Sequence, residues 1–190
     1  MRWMPRFGSR GSLAVLGAVV VLVILLVWMV LAYNALVAKE TAIEAQWAEV
    51  ENRYQLKVDK IPQLVAAAEG YQEFERSTLE NITRLRTQWS NASTIDQWIN
   101  TSNAIDQNLY SLWLTYEAYP TLFAGTLVQD LMFEISGVEN EIAVARMRYN
   151  EAVQAYNTQI RSFPDMLVAG WGGFQERDYY NPPATIPGAP

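Results

Sequence analysis

The chain has 190 residues, with 14 Lys+Arg against 20 Asp+Glu and a formal net charge of -6. An acidic surface argues against nucleic acid as a partner, because that binding depends on many cationic phosphate contacts. There is no Cys and no His. Disulfides, thiolate zinc sites and thiol nucleophiles are thereby excluded, and the commonest general base and transition-metal ligand are missing.

The first element is the run LAVLGAVVVLVILLVWMVLA at 13–32, which holds one Gly and no charge. At 1.5 Å per residue it matches a hydrocarbon core about 30 Å thick. A signal-peptide core would be shorter, roughly 7–15 residues. Trp28 and Tyr33 stand at its far end, where an interfacial aromatic belt falls. Residues 1–12 read as a basic leader and 13–33 as a transmembrane anchor. Arg2, Arg6 and Arg10 precede the anchor, whereas Lys39 comes after it in the company of Glu40 and Glu44. The positive-inside rule then predicts a single-pass protein with a cytoplasmic N-terminus and an extracytoplasmic domain, the lipid bilayer being its first partner. The helix lacks the Glu near its start that a type IV pilin carries.

Four amphipathic segments come next. In the first, Ile43, Trp47, Val50 and Tyr54 recur at helical steps. Asp59 and Pro62 then predict a helix–helix turn, since Pro sets φ and Asp can cap exposed amides. The second segment runs from Pro62 to about Trp89, weakened at Gly70. It ends in the polar stretch Ser90–Thr94, where Ser93 or Thr94 can cap the next helix. The third places Trp98, Ile105, Leu109, Leu112 and Tyr116 on one stripe and stops at Tyr119–Pro120. The fourth holds its period from Leu131 through Ile142, Tyr149, Val153 and Ile160 to Phe163–Pro164. Long stripes with short connections predict an all-α chain: an N-terminal transmembrane helix, then an up-and-down antiparallel four-helix bundle over 34–163 with coiled-coil-like packing. Residues 164–190 read as a short apolar piece (Met166, Leu167, Val168, Trp171) and a Pro-rich tail from Asn181.

The order of these residues resembles the LemA family. Tyr33-Asn34-Ala35-Leu36-Val37 comes directly after the anchor, then Trp47, then Asp59-Lys60-Ile61-Pro62-Gln63-Leu64-Val65, then Gly70-Tyr71 and Glu75 to Leu79. Val138-Glu139-Asn140-Glu141-Ile142-Ala143-Val144-Ala145-Arg146 leads to Tyr149-Asn150, Val153, Tyr156-Asn157 and Phe163-Pro164, the family's strongest signature. The resemblance implies a membrane-anchored antiparallel helical bundle of bacterial or archaeal origin, and no particular activity. Two departures stand out. Lys57 and Val58 occupy positions where the family usually has paired Arg, and Glu141 occupies one where Arg is expected after Asn140.

No pattern marks a catalytic residue, a cofactor, a metal site or a small-molecule substrate. A di-iron bundle needs Glu-x-x-His motifs, which are impossible here, and no two acids are marked as a hydrolytic pair. Arg146, near Glu139, Glu141 and Glu151, reads as an ion-paired or snorkelling side chain, or else as an exposed partner-binding group. Asn81, Asn91 and Asn100 each open an N-x-[ST] sequon and are glycosylation candidates if the source cell makes N-glycans. The expected role is a non-enzymatic structural or interaction protein of the cell surface. It would self-associate as a homo-oligomer, or bind another envelope protein, through a helix face or the Trp171 region. The alternative is an adaptor subunit that recruits or regulates a membrane protease or phosphatase.

Overall fold

The structure is a computed structural model and describes residues 9–180. The Pro-rich tail from Asn181 and the basic leader up to residue 8 lie outside them. Among the described residues there are six helices and no strand: α1 Ser9–Ala68, α2 Arg76–Ser90, α3 Ile95–Ala118, α4 Pro120–Phe123, α5 Leu127–Arg161 and α6 Asp165–Gly172. The described chain falls into two compact units. One comprises 9–43 and 152–177, the other 44–151 and 178–180.

In the first unit, α1 opens with the apolar run. Leu13, Leu16, Val19, Leu22 and Leu25 are all at least half exposed, so none of the described residues covers them. Among the described residues α1 is the one helix long and apolar enough to cross a membrane. Further on, Leu36 and Ile43 become buried, as do Val153, Tyr156 and Ile160 on the last turns of α5. α6 ends at Gly173, whose φ of 75° is the left-handed conformation a glycine cap supplies without strain.

The second unit contains most of the core. Val50, Val58, Ile61 and Leu64 of α1, Ile82 of α2, Ile105 and Leu112 of α3, and Ile142 of α5 are all at most 1 % exposed. Trp47 is an aromatic centre, packed on Trp98 of α3 at 5.9 Å and on Tyr149 of α5 at 5.5 Å between ring centroids. Trp89 of α2 donates its indole N–H to Ser102 of α3 at 3.1 Å. The hydroxyl of Thr94 caps α3 by accepting the amide of Gln97, as its position ahead of the stripe predicts.

One expectation is overturned. Asp59 and Pro62 make no turn, because α1 passes straight through them. Asp59 is exposed and accepts a hydrogen bond from Gln55 one turn earlier, at 2.6 Å. A helix-interior proline costs about 3 kcal/mol. Here Val58, Ile61, Leu64 and Ala68 flank it at helical spacing, all fully buried, and each large side chain returns about 1.5–3 kcal/mol on burial. The stripe therefore carries the helix past Pro62. The chain turns at 69–75 instead, around Gly70, and the second segment begins as α2 at Arg76.

Candidate functional site

The unusual feature of the second unit is a set of charges inside its core. Tyr54 and Lys57, one turn apart on α1, share the stripe of Val50, Val58 and Ile61 and are 2 % and 0 % exposed. On α3, Asp106 stands next to buried Ile105 and is itself 7 % exposed. On α5, Glu139 and Arg146 lie two turns apart on either side of Ile142. Lys57 donates to Asp106 at 2.6 Å and also to Glu139. Asp106 accepts further bonds from the Tyr54 hydroxyl at 2.9 Å and from the Arg146 guanidinium at 3.0 Å. The Arg146 guanidinium lies 5.1 Å from the ring centroid of Tyr54 and 4.6 Å from that of Tyr180. At such distances a desolvated cation gains from each ring face.

Burial and pairing oppose each other throughout the cluster. Burial lowers the Lys57 ammonium, but Asp106 and Glu139 more than offset it and hold its pKa above the ordinary value. Burial pushes the Asp106 carboxyl up, and Lys57 pulls it only partway back. Glu139 is raised by burial and by Asp106, against Lys57. Burial lowers Arg146, with Tyr180 acting the other way. The Tyr180 phenol is pushed up to about 12, chiefly by burial. Two cations and two carboxylates balance. The Asp106 carboxylate bonds to Tyr54, Lys57 and Arg146, so the arrangement fastens α1, α3 and α5 at one level.

The C-terminal segment is held to the same place. Asn150 of α5 clamps the backbone of Tyr180, accepting its N–H at 2.8 Å and donating to its carbonyl at 3.0 Å. The Tyr149 hydroxyl donates to the carbonyl of Asp178 at 3.1 Å. In the other unit Asn157 repeats the clamp on Arg177, with bonds of 3.0 and 2.8 Å. Two Tyr-Asn pairs, at 149–150 and 156–157, thus carry an asparagine that reads extended backbone as a strand edge would.

The residues singled out in the sequence scatter accordingly. Tyr149, Asn150 and Asn157 hold the C-terminal segment, and Arg146 is turned inward onto Asp106 rather than onto its neighbouring acids. Glu141 pairs with Arg53 of α1 at 2.7 Å. Asn140 is exposed on α5, and Pro164 precedes α6 as its cap residue. Asn81, Asn91 and Asn100 are exposed on α2, at its C-terminal cap and on α3. Sequence reasoning missed Tyr54, Lys57, Asp106 and Tyr180 as a group. The signal for them was position: Lys57 stands three residues after Tyr54 and four before Ile61, within the apolar stripe. Among the described residues no group of three or more His, Cys, Asp or Glu side chains is arranged to hold a metal ion.

Helices without strands, an apolar first helix left uncovered and a cross-helix ionic core, among the described residues, define the class. The LemA family model matches residues 46–186, and the chain belongs to the LemA family. It is also similar to the protein LemA of Metamycoplasma hominis, 33% identical over 114 residues. That alignment covers 59% of this chain and 49% of the relative, so it spans about half of the relative's length.

Proposed function

We propose that this LemA-family chain is a membrane-anchored structural or interaction protein of the cell envelope, with no chemistry of its own. The observation that carries the reading is the run of exposed Leu, Val and Ile from Leu13 to Leu31 on α1. At about 25 cal/mol per Å² of apolar area, such a helix is stable only where lipid replaces water. Arg2, Arg6 and Arg10 before it support a cytoplasmic N-terminus and an external helical part.

That helical part is read as an up-and-down antiparallel four-helix bundle with coiled-coil-like packing. Support comes from the pairing along α1 in the second unit. Trp47 meets Tyr149, Arg53 meets Glu141, Lys57 meets Glu139 and Lys60 meets Glu134, so α5 descends as α1 ascends. Trp47 meets Trp98 and Lys57 meets Asp106, so α3 ascends with α1. The internal charges are consumed by one another, which favours scaffolding over catalysis. Exposure of Asn81, Asn91 and Asn100 supports their glycosylation in a cell that makes N-glycans.

The test is the size of the full-length protein extracted in mild detergent, with mass spectrometry of the proteins that accompany it. A homogeneous assembly of this chain alone supports self-association through the bundle. A single copy bound to a second protein makes it an adaptor for that protein. A single copy alone overturns the self-associating reading.

A further inference from the structure

Within the first unit, α6 is apolar on both faces after its first residue, Asp165. Val168 and Ala169 are buried by the protein, yet Met166, Leu167 and Trp171 on the opposite face are 48 %, 60 % and 76 % exposed, and Phe163 just before the helix is 79 % exposed. A helix apolar all round is at rest only when both faces are covered. Its position says by what. Trp171 and Gly172 line a cleft of about 400 Å³ with Met29, Val30, Tyr33 and Asn34, the place on α1 where the apolar run gives way to polar residues. Gly172 makes the approach possible, since a Cβ there would come within 3.3 Å of the Tyr33 ring and 2.7 Å of Phe174. Tyr33 and Phe174 meet edge to face at 5.4 Å.

Charge resumes just beyond. Arg177 pairs with Glu40, Arg161 with Glu176, and Lys39 donates to the carbonyl of Ala155. Glu40 stands seven residues past Tyr33, about 10 Å along the helix. Between Phe163 and Phe174 the one charge is Asp165, which accepts a hydrogen bond from Gln159 at 2.8 Å. Trp and Tyr at this level are the residues that settle among lipid headgroups.

We infer that α6 is a second membrane-contacting element, lying in the interface of the leaflet where α1 ends, with Phe163, Met166, Leu167 and Trp171 against lipid. The inference rests on the reading of α1 as a membrane span. It sets the depth of the anchor and fixes how the first unit meets the bilayer.

Because the chain has no Cys, single nitroxide labels test this without background. Leu167→Cys, Leu22→Cys in the apolar run and Leu56→Cys are each labelled in the full chain, reconstituted in phosphatidylcholine–phosphatidylglycerol vesicles. Collision with oxygen, enriched in lipid, is compared with collision with a water-soluble nickel chelate. The oxygen-to-nickel ratio at 167 is expected to fall between those at 22 and 56, below the mid-span value but several-fold above that at 56. If 22 reads lipid while 167 reads water, the span stands and the role of α6 falls. If 22 itself reads water, both readings fall. A label at 167 shielded from both reagents means that protein, such as a second copy, covers the face, which also overturns the inference. Met166→Cys gives the same readout should the first variant fail to fold.

Discussion

Lys57 reaches Asp106 across 2.6 Å at a point where both are buried, 49 residues apart in the chain. A charge so placed depends on its partner, because water is not there to replace it. Asp106→Ala is expected to destabilise the fold by roughly 3–5 kcal/mol, measured by urea unfolding. A double variant, Lys57→Met with Asp106→Leu, is expected to recover only part of that loss, since it removes the buried ammonium but leaves Arg146 without Asp106 and Glu139 without Lys57.

Ile142 lies fully buried on α5 between Glu139 and Arg146. Ile142→Asp would place a carboxylate among apolar side chains, at a cost above about 4 kcal/mol. Loss of cooperative melting in circular dichroism is the expected result. A melting curve matching the parent would show that this stripe is not core.

The Tyr180 phenol, held at about 12 against an ordinary 10.0, ties stability to alkaline pH. Its raised value means that its contribution is complete below pH 10 and is lost as pH rises through about 12. Lys57, also raised, loses its contribution in the same direction. Melting temperature should therefore fall across this window, and less steeply in Tyr180→Phe. Tyrosinate absorbance should show one phenol ionising last.

Asn150 alone supplies both side-chain bonds to the backbone of Tyr180. Each such bond is worth about 0.5–1.5 kcal/mol. Asn150→Ala is expected to loosen the C-terminal segment while the helices stay intact. Limited trypsin digestion should then cut after Arg177 faster than in the parent, with circular dichroism unchanged.

Legibility in the sequence tracked the range of the forces involved. Both ends of α3 and the C-terminal end of α5 could be placed closely, because Thr94, Tyr119–Pro120 and Phe163–Pro164 are local signals acting on long periodic stripes. Pro62 misled for the converse reason: its local signal was overridden by the burial of Ile61 and Leu64 against distant elements. The family signature around Arg146 and Tyr149-Asn150 was readable, but its purpose was not. Asp106 and Tyr180, which give Arg146 and Asn150 their partners, come from far along the chain and carry no motif. α6 is eight residues long, too short for a period to declare itself.

Whether the apolar opening of α1 crosses a bilayer is decided by fractionating cells that make the full chain. Membranes would be washed with urea and then with mild detergent. The chain is expected to stay with the membranes through urea and to be released by detergent. Recovery in the soluble fraction, or release by urea alone, would show that α1 does not span the membrane.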